Sequence, residues 1–173
     1  MEYIKYLTTP LGQVLLSSDG EALTGLWFDG QKHFAANLPA EHEEQQVSVF
    51  EQAESWLNQY FSGCAPDITL PLSPRGTPFQ KLVWDILLTV PFGKTTTYGQ
   101  IASILAERRG LTRFSAQSVG NAVGHNPISL IIPCHRVVGA NGNLVGYAGG
   151  LSKKEQLLIM EGALPHIKAQ TSQ

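Results

Sequence analysis

Residues 131–138 read Ile-Ile-Pro-Cys-His-Arg-Val-Val and set Cys134 beside His135 between two β-branched blocks. A free thiol ionises near pH 8.5 (roughly), so nucleophilic work at neutral pH needs a base or a cation close by. His135 is the adjacent base. Neighbours on an extended backbone point to opposite faces, however, so a working contact requires a local turn or a bridging water. Free cysteine is also among the most buried residue types, and taken alone Cys134 reads as a core residue rather than a nucleophile. A protease-like thiol draws its histidine from far along the chain, which speaks against that class. Cys64 has no histidine in its segment and keeps the structural reading.

The elements around the pair can be read from local chemistry. Pro133 removes a backbone donor just before Cys134. Asn141-Gly142, between Val137-Val138-Gly139 and Leu144-Val145-Gly146, signals a hairpin, so the cysteine is expected between a bend and a hairpin. Gly146, Tyr147, Ala148, Gly149 and Gly150 then form a small-residue loop with room for a substrate. Ser152-Lys153-Lys154-Glu155 is expected to cap a last helix carrying Leu157, Leu158 and Glu161.

Upstream, Thr77, Pro78 and Gln80 form a capping box for a helix whose apolar face is Phe79, Leu82, Val83, Ile86, Leu87 and Val90, ending at Pro91. Thr97 and Gln100 repeat the box and open a second helix that Gly110 closes, and Ser115 opens a third that Asn126-Pro127 stops. Two short helices joined by a turn make a helix-turn-helix candidate. The third helix is thin, with Ala116, Ser118, Gly120, Asn121, Ala122 and Gly124. Either a neighbouring helix packs closely on it, or it enters a narrow groove such as the B-DNA minor groove, about 6 Å wide.

The first half reads differently. Residues 2–30 hold three strands, YIKYLTT, QVLLSS and ALTGLWF, in an antiparallel meander, followed by a polar acidic loop. Phe50, Ala53, Leu57 and Tyr60 to Phe61 then space a helix that Gly63 stops. A Pro-rich linker, with Ile68 and Leu70 as an extended strand, leads to the second half. Two domains are expected, residues 1–75 and 76–173. Residues 1–75 hold three basic against ten acidic residues, a charge of −7, and residues 76–173 nine against four, +5. The basic half is the candidate for a polyanionic partner. No apolar run reaches membrane-spanning length and two cysteines make no disulfide framework, so a cytoplasmic protein is expected.

The stretch NPISLIIPCHRVVG, with GYAGGL and KEQLLIMEG after it, resembles the O6-alkylguanine-DNA alkyltransferases, or methylated-DNA–protein-cysteine methyltransferases. The resemblance implies an α/β (α+β) protein with an N-terminal ribonuclease H-like domain and a mostly helical C-terminal domain of winged helix-turn-helix type. It implies irreversible, single-turnover transfer of the alkyl group from O6-alkylguanine, or O4-alkylthymine, in double-stranded DNA after base flipping through the minor groove. Cys134 would accept the alkyl group, His135 act as base through a water, Glu161 orient the imidazole, Tyr98 donate to the leaving base and Asn126 pin the turn before the active-site strand. Pro133, Val137, Tyr147, Ala148 and Gly149 would line the pocket. Tyr98, Arg113, Ser115, Ala116, Gln117, Ser118, Gly120 and Arg136 would meet DNA, with Gln117 where many members have an intercalating arginine. No cofactor is implied. Some members bind zinc, but His33 and His42 have no cysteine partners of suitable spacing, and no metal is expected. A monomer in solution that can cluster on DNA is expected, away from membranes. Two rivals remain open: a sensor of alkylated DNA, which would carry tryptophan at the cysteine position, and a regulator in which Cys134 is structural.

Overall fold

The computed structural model describes residues 1–164, so the last nine residues of the expected second domain lie outside the description. The chain forms two units. The first is Met1–Gly76 joined by Pro127–Ser129, and the second is Thr77–Asn126 with the chain from Leu130 onward.

In the first unit, strands β1 (Glu2–Thr9), β2 (Gly12–Ser18) and β3 (Leu23–Phe28) form the expected meander, with β1 in the middle of the four-stranded order β3-β2-β1-β4. The acidic loop contains a fourth strand that composition hides: β4 (His42–Glu44) pairs in parallel with β1, so the sheet is mixed. All three β4 residues are exposed, so the strand has no apolar alternation and rests on backbone pairing alone. Helix α1 (Ser48–Phe61) turns Val49, Phe50, Ala53, Trp56, Leu57 and Tyr60 inward. Gly63, at φ +94°, takes the left-handed turn that ends it. The linker strand expected at Ile68 and Leu70 does not form; a single bridge joins Leu72 to Leu23 instead. Glu2, almost fully buried, is held by both guanidinium nitrogens of Arg75 at 2.8 and 3.0 Å and by the Thr24 hydroxyl, tying β1 to the end of the linker.

In the second unit, α2 (Pro78–Leu87) and α3 (Tyr98–Arg108) both start in complete capping boxes, and the Ser115 hydroxyl caps α4 (Ala116–Gly124). Helix α2 stops at Leu87, short of Pro91, and Trp84 joins its buried face, its indole N–H donating to Ala122 O at 2.9 Å. That contact packs one side of α4. The glycines lie elsewhere: a Cβ at Gly124 would meet nothing within 4 Å, and one at Gly120 would touch only the Tyr98 ring at 3.7 Å. Internal packing therefore does not require those glycines.

The expected hairpin is replaced. Its turn forms, with Gly142 at φ +78° and Gly139 N–H donating to Asn143 O at 2.8 Å. Before it, β6 (Val137–Val138) pairs in parallel with β5 (Thr96–Thr97), and after it Leu144 drops into a core cluster with Val138, Leu158 and Leu164. Burying Leu144 draws the chain away from the ladder it would have completed. The last helix, α5 (Leu151–Met160), begins directly after Gly150 at φ +100°, without a side-chain cap, so Ser152 lies inside the helix rather than capping it.

Candidate active site

Cys134 does not sit on an extended strand. Residues Cys134–Arg136 form one turn of 3₁₀ helix after Pro133, and Leu130 just upstream has φ +70°. The turn removes the objection that adjacent side chains must face apart, because successive residues of a 3₁₀ helix lie about 120° apart rather than opposite. Asn126 holds the approach: its amide donates to Ile132 O at 2.7 Å and also hydrogen-bonds the Cys134 thiol.

His135 is fully buried and its Nε2 lies 2.6 Å from Glu161 Oε2, which is equally buried. A carboxylate only accepts, so Nε2 carries the proton and Nδ1 is the basic nitrogen of the neutral ring. Burial lowers the His135 pKa against the pull of Glu161. Glu161 caps the end of α5, where it also accepts from Arg136 Nε at 2.8 Å, Arg136 Nη2 at 3.2 Å and Gly93 N–H at 3.2 Å. Arg136, expected on the DNA face, is instead 8% exposed, and its Nη1 donates to Val90 O at 2.7 Å. Its guanidinium is spent inside the unit and serves as the counter-charge of Glu161.

The thiol itself is 5% exposed. Burial raises its pKa, while the Asn126 hydrogen bond and the charge of Lys154 pull it down without overcoming burial. The resting group is a protected thiol that needs a base.

Lys154 is a further residue beside the thiol that the sequence motif does not single out. It is fully buried on α5, and its Nζ donates to Val145 O at 3.0 Å and Gly146 O at 2.8 Å. Burial lowers its pKa to about 8. Tyr98, at the first position of α3, donates to the same Val145 O at 3.1 Å, and burial raises its pKa. The loop at Val145-Gly146 is thus tied to α3 and to α5 at one carbonyl. Spacing could have found the lysine: Lys154, Leu157, Leu158 and Glu161 follow the i, i+3, i+4, i+7 rhythm of one helix face.

Comparison with known proteins bears directly on this arrangement. Residues 78–163 match the model of the 6-O-methylguanine DNA methyltransferase DNA binding domain, and residues 2–74 match that family's ribonuclease-like domain. The chain belongs to the 6-O-methylguanine DNA methyltransferase family. It is 38% identical over 168 residues to the methylated-DNA–protein-cysteine methyltransferase of Haemophilus influenzae, covering 95% of this chain and 88% of that protein. The Methanosarcina barkeri enzyme of the same name is 41% identical over 160 residues, covering 92% and 96%. Among solved structures, Mycobacterium tuberculosis OGT in complex with DNA is similar with a TM-score of 0.79 and 38% identity, covering 93% of each chain. A Methanococcus jannaschii O6-methylguanine DNA methyltransferase gives a TM-score of 0.62 at 29% identity, covering 93% and 95%.

Within this family member, Asn126 reaches the Cys134 thiol, His135 follows it in the 3₁₀ turn and pairs with Glu161, and Tyr98 meets the loop at Val145. Pro133 and Val137 flank the 3₁₀ turn and are buried, while Tyr147 stands edge-on to the imidazole with ring centroids 6.4 Å apart. Ala148 is half-buried and Gly149 likewise. Arg113, Ser115, Ala116, Gln117 and Ser118 are exposed at the start of α4, with Gly120 half-buried one turn further.

Proposed function

We propose that this chain repairs DNA by direct reversal, moving the alkyl group of O6-alkylguanine, or O4-alkylthymine, in duplex DNA onto Cys134 in a single turnover. The observation that carries the reading is the fully buried His135–Glu161 pair at 2.6 Å, next in sequence to a buried thiol, in a chain of this family.

The chemistry follows the logic of nucleophile, base and orienter. Glu161 fixes the imidazole, and Nδ1 takes the thiol proton through a bridging water. Sulfur then attacks the alkyl carbon in line. A C–S bond forms as the C–O6 bond breaks, and its electron pair goes to the guanine, which takes a proton as it leaves. Tyr98 gives that proton and recovers it from solvent. The Lys154 ammonium and the Asn126 amide support the thiolate while it exists. The product is a thioether, which water does not cleave, so each molecule acts once.

An O6 atom in a duplex is out of reach until the nucleotide is extruded, and a damaged pair costs less to open. Helices α3 and α4 are the helix-turn-helix. The face of Ser115, Ala116, Ser118 and Gly120 suits a minor groove because it carries little side-chain bulk, with Arg113 just before it reaching DNA. Gln117 enters the space left by the flipped base. Pro133, Val137, Tyr147, Ala148 and Gly149 wall the pocket, with backbone groups of the 145–150 loop reading the base edge. Cysteines left unpaired fit the reducing cytoplasm. The protein acts as a monomer, with copies able to line up along DNA.

The test is stoichiometry. With limiting protein and a duplex containing O6-methylguanine, unmodified guanine should be recovered to one equivalent of protein and then stop. No recovery, or recovery far beyond one equivalent, would contradict the reading.

A further inference from the structure

Between Asp85 and Glu155 the chain contains a single acidic residue, Glu107, and three arginines crowd the few positions after it: Arg108, Arg109 and Arg113. All three are exposed, and among the described residues none has a carboxylate within 4.0 Å. The loop that carries them is built rather than slack. Leu111 N–H donates to Ala106 O at 2.8 Å, Gly110 N–H to Glu107 O at 3.2 Å, and Gly110 takes φ +67°.

Arg109 has a separate task. Phe79, at the start of α2, stacks on Phe114, just before the α4 cap, with centroids 5.4 Å apart and planes 12° from parallel. The Arg109 guanidinium lies 6.0 Å from the first ring and 5.8 Å from the second. A guanidinium at this distance is attracted to the ring faces. The loop is therefore pinned to two aromatic rings by its middle arginine, while Arg108 and Arg113 stand on either side of the pin with no ion-pair partner among the described residues. Uncompensated, held cations next to a helix that faces DNA are what phosphate oxygens recognise.

We propose that the segment from Arg108, the last residue of α3, through the loop to Phe114 is a phosphate-binding element, gripping the backbone of the same duplex beside the stretch that α4 enters. Arg108 and Arg113 are its phosphate ligands and Arg109 its pedestal. The proposal rests on the reading of α4 as the DNA-binding helix. It also gives a reason for the uncharged Gln117 in the groove: the electrostatic grip sits on the neighbouring loop.

Binding of a fluorescently labelled duplex with one O6-methylguanine, measured as a function of salt, tests it. Each phosphate neutralised on B-DNA contributes about 0.9 to the slope of log K against log salt. Arg108→Gln should reduce the slope by about one contact's worth, and Arg108→Gln with Arg113→Gln by about two, roughly 1.8. Arg109→Ala should loosen the loop and reduce the slope too, while Arg109→Lys, which keeps charge but loses the planar stack, should fall between. Thermal melting of each variant confirms that it is folded. Slopes unchanged in the folded double variant overturn the proposal. If the native protein itself binds DNA without salt dependence, the reading of α4 falls first and the loop falls with it.

Discussion

Glu161 meets three different groups at once: the imidazole of His135, the guanidinium of Arg136 and the backbone N–H of Gly93. Replacing it with glutamine leaves Arg136 buried without a counter-charge, which should destabilise the protein by about 3–5 kcal/mol in urea denaturation. It should also slow alkyl transfer about 10²–10⁴-fold in single-turnover kinetics, because the base loses its orientation. Lys154 makes a prediction with a pH signature. Its pKa of about 8 means that it is charged at neutral pH and loses that charge on the alkaline side. The native protein should therefore react about tenfold faster than Lys154→Gln below pH 8, and the advantage should shrink above it, as rate–pH profiles of the two will show. Cys134 and His135 stand out in the sequence only through the family resemblance of their stretch, since taken alone Cys134 reads as a core residue and adjacency on an extended strand would turn the two apart. The burial of Arg136 and Lys154 was not legible, since long cationic side chains ordinarily face water and only the fold reveals a carboxylate or two carbonyls waiting inside.

At the scale of elements, what could be read was what short-range chemistry dictates. The boxes at Thr77 and Gln80 and at Thr97 and Gln100, and the cap at Ser115, are completed by residues three positions on. Ser115→Ala should cost about 1 kcal/mol. It should also weaken DNA binding, because the frayed turn contains Gln117 and Ser118; melting temperature and duplex affinity check both. What could not be read depends on partners distant in sequence. Strand β4 is three polar residues paired to β1, and β5 and β6 are two residues each, defined only by one another. The 3₁₀ turn at Cys134 belongs here too, since Pro133 announces a break in regular pairing without specifying which turn follows. In β3, Gly25 leaves room for the Trp27 ring, where an added Cβ would fall 2.1 Å from a ring carbon. Gly25→Ala should therefore destabilise the first unit by about 1–3 kcal/mol, readable as a lower urea midpoint.

For the whole molecule, the division of charge along the chain and the division of labour coincide: the acidic first unit holds the sheet, and the basic second unit holds the thiol, the helix-turn-helix and the arginine loop. The buried site also couples folding to pH. His135 has a folded pKa below its usual 6.5, so below that pH the unfolded chain binds a proton that the folded one refuses. Stability present above about pH 6.5 is then lost as pH falls toward the folded value. Between about pH 7.5 and 5.5 the native protein should lose more stability than His135→Gln, measured by paired urea titrations. The central claim, that the Cys134 sulfur takes the alkyl group, has a direct readout in the intact mass of the protein after incubation with a duplex containing O6-methylguanine. The account predicts the gain of a single methyl group, mapped by peptide analysis to Cys134 and absent in Cys134→Ala. An unchanged mass in a protein that still binds the duplex, or a methyl group on Cys64, would contradict it.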